Sequence, residues 1–212
     1  MSLTRDLPLD PAQSALLFID VQNFCATREG GEFAGLSEAA FAERYAWFFA
    51  EFEGRVLPNM QAIQRAARGA GVEVLYTTIE SLTADGRDRS LDYKITGFNV
   101  PRGSRDAQVI DALAPGVDEI RIPKTSSSVF VSTNIDYVLR NLGVRQLAIS
   151  GLITDQCVES AVRDACDLGY LVTLVTDSCL TYTPARQAAS LSAIRGYCRQ
   201  VTANALVAEL GG

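Results

Sequence analysis

The sequence predicts an α/β fold, doubly wound around a parallel sheet. Short, β-rich apolar runs alternate with helix-like segments along the whole chain. The runs are nearly continuous in apolar residues, as in a sheet covered on both faces. The 212 residues are 48% hydrophobic and 21% charged, enough for one large core. They read as a single domain over residues 1–212, with no internal repeat or linker.

Residues 14–20 (SALLFID) form the first expected strand and 72–79 (VEVLYTTI) the second. Residues 119–122 (EIRI), 146–150 (QLAIS) and 171–176 (LVTLVT) follow, and 199–202 is the least marked, sixth candidate. Between them, residues 38–54 and 55–69 read as a long helical pair broken near Gly54. A short helix is expected over 106–113, and another over 132–142 with Ser132 as its cap and Gly143 as its stop. Residues 155–168 form a helix ending at Gly169, and 184–198 one that starts on Thr183-Pro184, a cap followed by a first-turn proline. Two loops are long, 27–37 and 82 to about 105; the second, rich in Asp, Arg and Gly, suits a lid or an oligomer contact.

Charge and cysteine usage narrow the function classes. The net charge is −6 and no basic run occurs, which disfavours a nucleic-acid partner. The apolar runs are too short to span a membrane, and residues 1–11 lack the apolar core of a signal peptide. The five cysteines (25, 157, 166, 179 and 198) are odd in number and contain no CxxC pair. A disulfide framework or zinc ribbon is therefore disfavoured, and a reducing cytoplasm fits.

Ligands of such sheets bind beyond the carboxyl ends of the strands. Asp20 ends the first expected strand, Lys124 follows the third and Cys157 follows the fourth. A carboxylate, an amine and a thiol thus fall on one rim. Cys157 lies near the expected start of a helix, where free N–H groups and the helix dipole favour a thiolate. The chain has no histidine, so another group must handle the thiol proton. Asp20 can accept it and later return it to a departing amine, with Lys124 supplying positive charge. Backbone N–H groups of Ile153 and Cys157 are candidates to hold the oxyanion of a tetrahedral intermediate. This chemistry is hydrolysis of an acyl compound through a thioester.

Three segments carry a family resemblance: Leu16-Leu-Phe-Ile-Asp-Val-Gln-Asn-Phe24, Ile122-Pro-Lys-Thr-Ser-Ser-Ser-Val-Phe130 and Gly151-Leu-Ile-Thr-Asp-Gln-Cys-Val-Glu-Ser-Ala161. In order and separation they resemble the motifs of the isochorismatase-like cysteine hydrolases, which include nicotinamidases and N-carbamoylsarcosine, ureidoacrylate and biuret hydrolases. The resemblance implies a six-stranded parallel sheet with helices on both faces, a triad of Asp20, Lys124 and Cys157, and a cis peptide at Leu152–Ile153 that turns the Ile153 N–H into the oxyanion hole beside Cys157. It implies a homo-oligomer, dimer or tetramer. Metal-binding members carry histidine ligands that this chain lacks, so no metal and no cofactor are expected. Members that cleave a vinyl ether dispense with the cysteine, so its presence favours attack on a C–N acyl bond.

The expected substrate is a small carboxamide, ureido or carbamoyl compound. Gln22 and Asn23 could bind its carbamoyl group or merely brace the turn. Phe24, Trp47 and Tyr93 could form an apolar wall, Glu80 could meet a charged end, and Ser128 offers a hydroxyl beside Lys124. Two alternatives stay open: vinyl-ether hydrolysis with Asp20 as acid, and a non-catalytic binding module.

Overall fold

The computed structural model describes residues 4–211. Its strands are β1 (Ser14–Ile19), β2 (Glu73–Ile79), β3 (Ile120–Lys124), β4 (Gln146–Leu152), β5 (Leu171–Leu180) and β6 (Arg199–Val201). They form one sheet in the order β3-β2-β1-β4-β5-β6, and every pairing is parallel. The helices are α1 (Asn23–Ala26), α2 (Glu38–Glu51), α3 (Leu57–Ala70), α4 (Leu91–Thr96), α5 (Val129–Ser132), α6 (Ile135–Asn141), α7 (Glu159–Asp167), α8 (Pro184–Ile194) and α9 (Ala203–Glu209). None is long and apolar enough to cross a membrane.

The continuous apolar strands divide their side chains between two cores, because successive residues of a strand point to opposite faces. Leu16 and Phe18 of β1 join Val74, Tyr76 and Ala148 in a core closed by Phe48, Phe52, Met60, Ile63 and Leu206. Ala15, Leu17 and Ile19 join Leu75, Leu147 and Ile149 in the other, closed by Leu139, Val162, Ala165 and Ile194. α2, α3 and α9 thus cover one face and α6, α7 and α8 the other. The chain winds outward in both directions from β1, and the reversal between β1 and β4 opens a crevice at their carboxyl ends.

Several expected boundaries are corrected. The helix pair over 38–69 is not broken at Gly54; α2 and α3 run together through a wide turn at Phe52–Val56, where the Leu57 amide reaches back to the Phe52 carbonyl. Pro58 explains the turn. It has no N–H to donate, its ring crowds the preceding turn, and widening the helix relieves both. No helix forms over 106–113. Two single 3-10 turns, Arg105–Ala107 and Asp111–Leu113, flank Val109, which forms a β-bridge with Gln22. The helix expected from Ser132 starts instead at Ser128, whose hydroxyl accepts from the Val131 amide, and restarts after Asn134. The sequence reading also passed over α9, which is capped by Thr202.

Candidate active site

Asp20 leaves β1 with φ +52°, a left-handed conformation that asparagine and aspartate tolerate better than other side chains. The turn is held by its amide, which donates to the Thr77 carbonyl at 3.1 Å. It also brings the carboxylate within reach of the Thr77 hydroxyl, which donates to Oδ1 at 2.9 Å. Lys124 ends β3, two strands away across β2. Strands lie about 4.8 Å apart, so only a long side chain can cross that gap. Its Nζ lies 2.8 Å from Asp20 Oδ2 and 3.3 Å from Cys157 Sγ. It also donates to the Ser126 carbonyl at 2.9 Å and the Tyr93 hydroxyl at 3.2 Å. Lys124 is fully buried and Asp20 nearly so.

Cys157 comes from the turn after β4. Gly151 makes its approach possible. Its φ is +143°, and a Cβ there would lie 2.2 Å from the Ile19 carbonyl oxygen, so only glycine lets β4 run this close to β1. The Leu152–Ile153 peptide is cis, as the resemblance implies. Thr154–Val158 forms a wide turn that runs into α7, and Cys157 is its fourth residue. The Ile153 carbonyl accepts from the amides of Gln156 and Val158, at 3.0 and 3.4 Å, but not from the Cys157 amide between them.

The electrostatics differ from the sequence expectation in one respect. Burial pushes the Cys157 thiol up to about 12; Lys124 pulls it down, and Asp20 pushes it further up. The resting sulfur is therefore a thiol and not a preformed thiolate. Burial alone would lower Lys124, but Asp20 and Cys157 outweigh it and hold the ammonium well above its usual range. Oδ2 of Asp20 meets the ammonium by charge and makes no aligned hydrogen bond, so it keeps a lone pair for a proton.

A narrow cavity opens on the sulfur, lined by Asp20, Phe24, Ile79, Tyr93, Phe98, Ile153 and others. Phe24 and Tyr93 line it, and Tyr93 further approaches Cys157 Sγ at 3.8 Å. The other expected substrate residues stand outside it. The Gln22 amide is wholly buried and spans the Ile79 backbone and the Asp106 carbonyl. Asn23 donates to the Arg105 carbonyl. The Glu80 carboxylate holds the Gly103 amide at 2.9 Å and faces Arg121 at 3.7 Å. Ser128 caps α5 and donates to Asp164, and Trp47 packs against the core. The side chains of Gln22, Asn23, Glu80 and Ser128 thus brace loops and are already engaged.

Sequence reasoning missed Glu32, Tyr182 and Gln156, which also line the cavity. Glu32 sits in the long 27–37 loop directly after Gly30-Gly31. The glycine pair was the one available signal.

The arrangement is that of a doubly wound α/β protein with its reactive groups gathered at the carboxyl edge of the sheet. The isochorismatase domain model matches residues 14–205, and the chain belongs to the isochorismatase family. It is 30% identical over 188 residues to the ureidoacrylate amidohydrolase RutB of Rhizobium rhizogenes, covering 81% of this chain and 72% of the relative. A cysteine hydrolase from Pseudomonas syringae pv. phaseolicola superposes with TM-score 0.81 at 24% identity, over 97% of this chain and 95% of the other. An isochorismatase family protein from Desulfovibrio vulgaris superposes with TM-score 0.73 at 28% identity, over 94% and 99%.

Proposed function

We propose that the protein is an amidohydrolase that uses Cys157 to cleave the C–N bond of a small carboxamide or ureido compound through a thioester. The observation that carries this reading is the meeting of Asp20 and Cys157 on one ammonium, at 2.8 and 3.3 Å. The activity named for the Rhizobium relative supports a ureide or amide substrate.

With burial holding the Cys157 thiol well above its usual range, a free thiolate is costly at pH 7. Proton loss therefore accompanies attack. As Sγ bonds to the substrate carbonyl carbon, its proton passes to Asp20 Oδ2. Negative charge moves to the carbonyl oxygen, where the amides of Ile153 and Cys157 receive it. Lys124 keeps a positive charge beside both partners and donates to the sulfur. Asp20 then returns the proton to the nitrogen, the C–N bond breaks, and ammonia or an amine leaves. A water gives its proton to Asp20 and attacks the thioester carbonyl; the sulfur departs and regains its proton. A carboxylic acid is released, or a carbamic acid that decays to ammonia and carbon dioxide.

Ammonia release, screened over small amides, ureides and carbamoyl amino acids, tests the reading. Cys157→Ala should keep its circular dichroism spectrum and lose turnover. Release of a carbonyl compound from a vinyl ether, with no ammonia, that survives Cys157→Ala and disappears with Asp20→Ala would instead indicate acid-catalysed vinyl-ether cleavage.

A further inference from the structure

Glu32 lines the cavity beside Asp20 and Cys157, and the mechanism above does not use it. Its one side-chain partner among the described residues is the Tyr182 hydroxyl, which donates to Oε1. Among the described residues no lysine or arginine pairs with it, and none is among the side chains that line the cavity. Lys124, below the cavity floor, is already engaged by Asp20, Tyr93, Ser126 and Cys157. Arg186, which stacks over the Tyr182 ring at 5.1 Å, is paired with Asp155.

The loop that carries Glu32 is built to hold it there. A Cβ on Gly30 would lie 2.2 Å from the Phe24 carbonyl oxygen, so glycine alone allows the loop to press against α1. The Gly31 amide is tied to Asp106 Oδ2 at 3.1 Å. The cavity that Glu32 lines is walled by aromatic rings. Phe24 and Phe98 meet edge to face with centroids 5.4 Å apart, and Tyr93 lies 5.6 Å from Phe98. Burial pushes the Glu32 carboxyl up to about 7, against the lowering effect of Tyr182; its charge lacks a partner. A carboxylate without a counter-ion, in a cavity lined with aromatic rings, is a receptor for an organic cation.

We propose that Glu32 and the aromatic wall select amides or ureides that carry a cationic nitrogen, as an ammonium, amidinium or guanidinium, and reject those that end in a carboxylate. A cation seated here restores the charge balance that Glu32 lacks and lies against ring faces. A carboxylate would meet Glu32 and Asp20 with no free cation to receive it. The inference rests on the reading that the Cys157 cavity is the catalytic site.

Three amides of similar shape test it: β-alaninamide (cationic), butyramide (neutral) and succinamate (anionic). Their binding is measured by calorimetry at about pH 8 on the full chain carrying Cys157→Ala, which leaves the amide intact. β-Alaninamide should bind about tenfold tighter than butyramide, with succinamate weakest. Adding Glu32→Gln should collapse the three to within about threefold, while Tyr182→Phe should keep the order. The proposal is overturned if succinamate binds as well as β-alaninamide, if none of the three binds, or if Glu32→Gln leaves the order unchanged. The first two outcomes need no variant at Glu32 and so stand even if that variant misfolds. Ammonia release by the unsubstituted chain is scored separately. Ordered binding with no ammonia from any amide overturns the amidohydrolase reading alone; ammonia with the reverse order overturns only the cation selection.

Discussion

Two carboxylates face the same cavity under opposite conditions. Asp20 is nearly sealed from solvent, yet an ammonium at 2.8 Å and a hydroxyl at 2.9 Å compensate it. Glu32 is less deeply placed but meets a lone phenol, and its carboxyl rises to about 7. Burial is therefore not what separates them; the partner is. A charge that the fold neutralises by itself can serve each turnover without change. A charge left unmatched costs stability and persists where something outside the fold completes it.

The largest expected effect breaks the paired side of this comparison at the sulfur. Cys157→Ala should reduce amide turnover by at least about 10⁴-fold, because the covalent route disappears with the nucleophile. A loss below about tenfold would remove the thioester from the mechanism. Removing the ammonium tests the compensation directly. Lys124→Met fills much the same volume but leaves Asp20 as a lone buried charge, with a cost of about 3–5 kcal/mol in denaturant unfolding. If Lys124→Met unfolds at the denaturant concentration of the parent, the Asp20–Lys124 pair does not help hold the fold together.

The paired carboxylate was legible in the sequence and the unpaired one was not, for a physical reason. Asp20, Lys124 and Cys157 each follow an apolar run, and in a parallel sheet the ends of such runs share one rim. Strand ends are readable, and so were the residues at them. Glu32 comes from a loop between α1 and α2, and no periodicity says which way a loop folds. The same limit explains Gln22, Asn23, Glu80 and Ser128. Their proximity in sequence to the reactive residues was visible, but the Ile79, Arg105, Gly103 and Asp164 atoms that occupy them come from distant segments. The helix through Gly54 turned on Pro58, whose effect lies one turn back from its own position.

Glu32→Gln sharpens the comparison through pH. The folded-state carboxyl is raised from 4.5 to about 7. Folding therefore favours the protonated form; that stability is complete below about pH 4.5 and is lost as the pH rises to about 7. Glutamine never ionises, so the variant should match the parent below about pH 4.5 and exceed it above about pH 7. The gain expected there is about 2 kcal/mol, allowing for solvent at a partly exposed carboxyl. In a chain of this length it corresponds to roughly 4–8 °C in Tm. The groups that face Glu32 are Tyr182, Tyr45, Asp20 and Cys25, and the chain has no histidine to titrate in the same window. A melting-temperature difference that stays flat between about pH 4 and pH 8 would mean that Glu32 is not held above its ordinary range.

The smallest effect belongs to Tyr93, whose hydroxyl touches both Lys124 and Cys157. An ammonium has three protons to donate, and four acceptors surround Lys124: Asp20 Oδ2, Cys157 Sγ, the Ser126 carbonyl and Tyr93 Oη. Tyr93→Phe removes one of the three aligned acceptors, and the proton it held can turn to Asp20 Oδ2 at 2.8 Å, so stability should fall by no more than about 1 kcal/mol despite the burial of the ring. Activity is affected differently. Lys124 donates to the Tyr93 oxygen, which frees the phenol's own proton to point at sulfur as negative charge develops there. Its loss should lower kcat about 5- to 20-fold with KM little changed, the worth of one hydrogen bond to a forming anion. Equal losses in stability and kcat would make Tyr93 a packing residue. A kcat loss on an unchanged unfolding curve would place its hydroxyl among the groups that stabilise the reacting sulfur.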